Sequence, residues 1–479
     1  MGKNNSSVGF GGFPRTFWIA NSVELLERAA YYGVFIVITL YLSRILGFND
    51  VQAAWISGGF SAGLYFLPTF TGALADRVGF RNALLLAFSL LSVGYLGLAL
   101  FPLALEQHGF VEYGRQATFT GLRESDVRWL IVPIMVVIMI GGSFIKAVIT
   151  GTVATTTTAA NRARGFAIFY MMVNIGAFSG KTIVKPLRES MGDLGLINLN
   201  YFAAGMTFFA LVSVFLFFRN VDRKTDNKSM EQVLQALWRV LRNGRLIALI
   251  LIITGFWMVQ HQLYATMPKY VLRMAGEGAS PSWYANVNPF VVVLTVGLVT
   301  SLMRRKSALF SMTTGMFIMP VSALAMASGN LIHGNVDLGF MSVHPIALMM
   351  IVGIVFQGLA ESFISPRFLE YFSLQAPKGE EAMYLGFSHL HSFISSILGF
   401  GLSGYLLDAY CPDPRKFASH EAWQAAASNA HYIWYIFATI ALVSAVSLII
   451  YGKVVRHLDG KKEPEKPLGT ELASDLSQG

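Results

Sequence analysis

Charge and cysteine are scarce in this chain. Of its 479 residues 13% are charged, against about 25% in an ordinary soluble protein, while 54% are hydrophobic. A single soluble core stops growing near about 250–300 residues, so a soluble chain of this length needs several domains and far more polar surface than these residues supply. Cys411 is the one cysteine, which excludes an intrachain disulfide. The sequence holds no glycine-rich nucleotide loop, no metal-ligand constellation and no nucleophile–base arrangement. The segments between apolar blocks are also too short for a catalytic domain, and an enzyme is not expected. Met1 to Thr16 is polar and glycine-rich without an apolar h-region, so no cleaved signal is expected. Met1, Gly2 and Ser6 fit a myristoylation pattern weakly, and a polytopic protein needs no lipid anchor. A net charge of +9 would favour nucleic acid in a soluble chain. Here no basic–aromatic module stands outside the apolar blocks, and no nucleic-acid partner is expected.

What the chain does have is apolar blocks of roughly 20–28 residues, enough to cross about 30 Å of hydrocarbon as helix. Barrel strands would be about ten residues and alternating; these blocks are continuously apolar, so helices are predicted. Spans are expected at about 17–44, 51–75, 79–101, 128–152, 163–186, 198–219, 245–268, 283–303, 307–328, 345–370, 380–408 and 430–452. Arg77 and Arg81, Arg162 and Arg164, the run Arg219 to Arg245, Arg304 to Lys306, and Lys453 to Lys462 all fall on one side, which the positive-inside rule makes cytoplasmic, with both termini there. The expected organisation is a cytoplasmic N-terminus (1–16), a six-helix bundle (17–219), a cytoplasmic linker (220–244), a second six-helix bundle (245–457) and a disordered tail (458–479). In the linker, Met230, Val233, Leu234, Leu237 and Leu241 recur at helical spacing. They predict an amphipathic helix that either lies in the membrane interface or packs on the span ends. Two six-helix halves suit a secondary transporter with its solute site between them near mid-depth.

Ionisable groups inside spans carry the sharpest signal, because each costs at least about 2.5–3.5 kcal/mol at the bilayer centre. Span one carries Glu24, Glu27 and Arg28. Offsets of three and four put Glu24 on one face with both others, leaving an excess negative charge that one proton neutralises. Lys146 is the single charge between Ile131 and Val153 in span four and needs a partner or a water-filled cavity. Glu361 in span ten is expected to face the cavity. His261 in span seven and His389 and His391 in span eleven are titratable near neutral pH. His389 and His391 are two residues apart and cannot share a helix face. Asn174 sits in the middle of span five, where a bonded role is expected, while Lys181 and Lys185 near its outer end are expected either to snorkel or to offer a cation for anion binding. Pro68, Pro289, Pro320 and Pro366 predict broken or bent helices.

These residues resemble the proton-dependent oligopeptide transporter family of the major facilitator superfamily. Glu24 through Gly33 resembles that family's E-x-x-E-R-F-x-Y-Y-G signature, with Ala29 in the Phe position. Gly165 through Phe178 is similar to its fifth-helix motif. Phe256-Trp257 through Gln262, Asn288 through Phe290, and Glu361 through Pro366 resemble its seventh, eighth and tenth helices. The resemblance implies an all-α membrane fold of twelve helices in two bundles. It implies proton coupling through Glu24, Glu27 and Arg28, with His261 at the position of the family's seventh-helix Glu. It also implies a substrate site lined by Tyr31, Tyr32, Lys146, Asn174, Trp257, Gln262, Asn288, Glu361 and Ser365, with Glu361 facing a substrate amine and Lys146 helping to hold a carboxylate.

The expected function is alternating-access, proton-coupled symport of di- or tripeptides or peptide-like solutes. No cofactor is implied beyond protons as the coupling ion. Two departures matter: Phe35 stands where the family places an Arg, and His261 where it places a Glu. They leave open a same-fold transporter of another organic solute or anion, working as exporter or exchanger. The expected setting is a bacterial inner (plasma) membrane, and a monomer is expected.

Overall fold

The computed structural model describes residues 12–113, 125–158, 161–219, 230–339, 342–375 and 381–459. The first eleven residues with their myristoylation pattern, the linker from 220 to 229 and the tail from 460 lie outside them. Among the described residues, nine helical segments are long and apolar enough to cross a membrane, and a bent pair, Arg15–Phe35 with Ile38–Ile45 at 44°, makes ten. One of the nine, Arg164–Phe217, contains two helices, Arg162–Met191 and Gly195–Phe217, joined by a turn at Gly192–Leu194. Asp50–Phe66 continues into Pro68–Val78. Grouped in this way, the helices are consistent with the twelve expected spans.

Span one is 15–45, two 50–78, three Phe80–Gln107, four Asp126–Thr156, five Arg162–Met191 and six Gly195–Phe217. Span seven is 244–275, eight Pro281–Leu302, nine Ala308–Ser328, ten Pro345–Ser373, eleven 381–410 and twelve Tyr432–Asp459. Several helices run past the expected limits: span five reaches Met191 rather than 186, and span twelve Asp459 rather than 452. The apolar block ends there, but the backbone still gains a hydrogen bond from each further helical residue.

Local sequence sets the breaks. Asn49 accepts from the Gln52 amide at 2.8 Å and the Gln52 side chain returns to the Asn49 amide, a complete capping box that starts span two. Pro68 opens the second piece of that span, where its missing N–H costs nothing. Pro102, Pro186, Pro320 and Pro366 stay inside continuous helices.

Each half packs mainly within itself: span one against five and six, span nine against ten and twelve, span seven against eleven and twelve. Spans one and five meet backbone to backbone. A Cβ on Gly180 would strike the Ala29 carbonyl and lie 2.9 Å from the Gly33 nitrogen, the close approach that small residues four apart allow. The halves join along spans two and eleven. There a Cβ on Gly58 would meet Phe400 at 2.9 Å, and Ser61 and Ser396 share a hydrogen bond of 2.9 Å.

The linker helix is Met230–Arg242. It buries Val233, Ala236 and Val240 against the spans and leaves Leu234, Trp238 and Leu241 exposed. Its buried edge is the packed side of that helix, and its exposed edge is apolar.

Candidate functional site

Span one delivers the acidic pair because its helix is uninterrupted from Arg15 to Phe35. Glu24 and Glu27 are buried, and the Arg28 Nε lies 3.2 Å from Glu24 and 2.6 Å from Glu27. One guanidinium therefore serves two carboxylates, as the offsets predicted. The Arg28 guanidinium also lies over the Tyr31 ring at 5.5 Å. Lys146 acts on both Glu24 and Arg28 through its charge, and although it sits mid-span it remains solvent-accessible. That combination requires water inside the bundle rather than lipid around it.

Lys146 does not meet His261. Its Nζ lies 3.2 Å from Nε2 of His389, so span four of one half touches span eleven of the other. His389 and His391 nevertheless come close to each other, although two residues apart they cannot share the face of one helix. Span eleven breaks at His389, between Glu381–Ser388 and Leu390–Tyr410, and the helix-face rule holds only for an unbroken helix. The His391 ring stacks on Trp257 at 5.3 Å and lies 6.2 Å from the His389 ring. His261 reaches Ser395 at 3.3 Å through Nδ1 and lies beside Tyr65, Trp257 and Phe400.

Glu361 is held by amides. The Gln260 side chain donates to Oε2 at 2.8 Å and the Asn288 side chain at 3.3 Å. Tyr32 lies between the two acidic centres and feels both the Glu24–Glu27–Arg28 group and Glu361. Phe35 is buried among Tyr31, Phe60, Tyr264 and Phe400, with the Tyr31 ring stacked on it at 5.0 Å. An aromatic plug thus occupies the position where a cation was expected.

Three further predicted lining residues differ in their partners. Gln262 is buried and spends its amide on helix packing, donating to Met258 and Gly399 and accepting from Thr266. Asn174 bonds the Tyr170 carbonyl of its own helix. The Ser365 hydroxyl is buried without a hydrogen-bond partner among the described residues.

Lys181 does not snorkel. It is 2% exposed, donates to the Ala285 carbonyl at 3.3 Å, and lies over the Tyr32 and Tyr264 rings at 5.1 and 5.7 Å. The Gly33–Gly180 contact draws this part of span five against span one, so the side chain enters the interior instead of running to the surface. Lys185, one turn on, is the one that reaches the edge, paired with Glu189 at 3.5 Å and over Trp283. Tyr65, Tyr264 and Gln260 also belong to the site. Gln260 stands out as a polar residue of an apolar helix, beside His261 and Gln262, whereas nothing in an apolar helix marks which side the Tyr65 and Tyr264 rings will face.

At the rim where span one turns into span two, charges tie the halves together. Arg44 binds Asp193 at 3.0 Å and Glu277 at 2.6 Å, and Arg188 binds Glu277 at 3.0 Å. Asp50 holds Lys269 and Arg273, each at 2.8 Å, and Arg273 also donates to the Cys411 carbonyl at 2.6 Å. Arg44, Arg188, Lys269, Arg273 and Glu277 line a cavity of about 530 Å³ at this rim.

A family model described as Major Facilitator Superfamily matches residues 22–341 and 336–477. A "Dipeptide and tripeptide permease A" of Erwinia pyrifoliae is 28% identical over 209 residues, 43% of this chain and 37% of that permease; the chain thus aligns with little more than a third of that relative's length. A "Dipeptide and tripeptide permease B" of Shigella dysenteriae serotype 1 is 26% identical over 456 residues, 82% of this chain and 86% of that permease. Among solved structures, a peptide transporter POT in complex with sulfate superposes with a TM-score of 0.66 at 20% identity, covering 94% of this chain and 96% of the other. A POT family transporter in complex with 5-aminolevulinic acid gives 0.67 at 18% identity, covering 93% and 97%. At that identity the superpositions speak for the fold.

Proposed function

Because the chain belongs to the Major Facilitator Superfamily, we propose that it is a proton-coupled symporter of peptides or peptide-like small solutes, of the POT type that its relatives represent. The observation that carries this reading is the pairing of two buried carboxylates with one guanidinium, within reach of a lysine that contacts the opposite half. A proton added to Glu27 removes one of the two charges that hold Arg28. The guanidinium is then freer to act on Tyr31 and on Lys146, and the Lys146–His389 bridge transmits the change between halves. Inward proton flow is favoured by the potential, worth about 2.3 kcal/mol per charge per 100 mV. In this reading both termini are cytoplasmic, and the rim closed by Asp50 and Glu277 faces outward. The two six-helix bundles rock about the site between them.

A second reading, a transporter of a non-peptide organic solute working as exchanger or exporter, draws on one observation. Phe35 and His261 stand where the family places an Arg and a Glu, and both rings lie beside Phe400.

The test begins with a thermal-shift screen of dipeptides, amino-acid conjugates and organic anions, since a ligand that binds only the folded state raises the melting temperature. The best ligand then goes into uptake by liposomes under an imposed pH gradient. E27Q should lose gradient-driven accumulation and keep exchange of solute for solute. Full accumulation by E27Q would remove the coupling assignment, and pH-insensitive exchange by the wild type would favour the second reading.

A further inference from the structure

Lys181 and Glu361 form a separated cation and anion inside the bundle. Among the described residues no carboxylate lies within 4.0 Å of the Lys181 ammonium, which has one carbonyl and two ring faces for company. Glu361 is the acid whose charge acts on Lys181, yet Glu361 itself rests on two neutral amides. Span eight fixes their spacing. Lys181 bonds the carbonyl of Ala285, and Glu361 bonds the side chain of Asn288, three residues on. Ala285 and Asn286 keep helical backbone angles in the turn just ahead of Val287–Leu302, so the three residues rise about 4.5 Å and the two charges stand on the order of 10 Å apart.

A buried cation without an anion is costly, and a buried carboxylate held only by amides leaves its charge unneutralised. A ligand that brings an anion to one and an ammonium to the other relieves both. Charge-assisted hydrogen bonds take about 2.7–2.9 Å at each end, leaving roughly 4–5 Å between the ligand's own charges. A single amino acid fits that interval and a bent dipeptide approaches it. Each further residue adds up to about 3.3–3.6 Å, which puts an extended tripeptide beyond it.

We propose that Lys181 binds the carboxylate of a short zwitterion of one residue or at most two, whose amine meets Glu361 as the family resemblance already implies. This assignment rests on the peptide-like reading above and narrows it. It moves the carboxylate contact from Lys146, which is engaged with His389 and with the Glu24 charge, to a lysine of span five. The Tyr32 and Tyr264 rings that flank Lys181 exclude water from the anion and so strengthen the contact.

The test is equilibrium binding by calorimetry to the purified full chain in detergent, with no gradient, using alanine, dialanine, dialanine amide and trialanine. The wild type should bind dialanine about tenfold or more tighter than its amide, the loss expected for one charged hydrogen bond. Trialanine should bind more weakly than alanine or dialanine. K181Q should erase the preference for acid over amide while leaving amide binding within about twofold, and K181R should restore the preference. Equal losses of acid and amide in K181Q would make Lys181 a structural strut and overturn the proposal. So would trialanine binding as tightly as the shorter probes, or no binding of any probe by the wild type. Should K181Q fail to fold, carbodiimide coupling of bound dialanine to the wild-type protein reads the same assignment by mass spectrometry. Attachment to Lys181 supports it and attachment to Lys146 overturns it. Binding as expected without pH-driven uptake would sink the symport reading and leave this one standing.

Discussion

Lys146 Nζ and His389 Nε2 lie 3.2 Å apart, joining span four of the first half to span eleven of the second. Two donors cannot bond each other, so the contact exists only while one nitrogen is neutral and accepts. If His389 takes a proton, two cations face each other at hydrogen-bond distance and the bridge opens. Arg28, Glu24 and His391 also act on these groups electrostatically. The bridge therefore responds to the charge of these neighbours.

That chemistry makes a first prediction. H389Q keeps a neutral acceptor on span eleven and should retain most gradient-driven uptake. H389K places a permanent cation opposite Lys146 and should lower uptake about tenfold or more, a cost of roughly 1.4 kcal/mol. Initial rates in liposomes check this; equal rates for the two variants would mean the bridge plays no part in turnover.

The Asp50 latch makes a second. Lys269 and Arg273 have side-chain exposures of 2% and 6%, so D50N strands two buried cations. Removing one partner of a buried pair costs about 3–5 kcal/mol, and D50N should lower the melting temperature accordingly. Cys411, buried beside the latch and the only cysteine of the chain, is a built-in reporter of its opening. Maleimide should label it faster in D50N. Adding K269Q to D50N should recover part of the lost stability because one stranded cation is gone.

A third concerns pH at the same rim. Burial alone would raise the Glu277 carboxyl, but the Arg44 hydrogen bond and the Arg44 and Arg188 charges outweigh it and hold its pKa below the usual carboxylate range. A depressed acid stabilises at pH above its unfolded value and loses that contribution as pH falls through its folded value. Between about pH 5 and pH 7 the latch should therefore stay intact. The ratio of Cys411 labelling in E277Q to that in the wild type should be above one and flat across this window. It should approach one only at lower pH, where the wild-type carboxyl is also neutral. A ratio that changes steeply within the window would contradict this assignment.

The spans one–five contact makes a fourth. G180A gains about 1 kcal/mol of helix propensity, but its Cβ meets backbone of span one on two sides, which cannot rotate away. The clash should win, with a net loss of about 1–3 kcal/mol visible as a lower melting temperature. It should also displace Lys181, the next residue. An unchanged or higher melting temperature would show the two spans to be further apart than described.

Apolar block length and the spacing of Glu24, Glu27 and Arg28 were legible without coordinates, because both depend on helix geometry alone. Hydrocarbon thickness sets the number of residues in a span, and offsets of three and four set a shared face. The order of the motifs along the chain likewise carried the family. The partners of Lys146 and the depth of Lys181 were not legible. His389 faces Lys146 because span eleven breaks at that residue, and Lys181 is drawn inward because glycines let spans one and five touch. Gln262, which spends its amide on helix packing, was not legible for the same reason. In an apolar helix surrounded by other apolar helices, hydrophobic pattern does not distinguish lipid, neighbour and cavity, and only packing in three dimensions decides which a side chain meets.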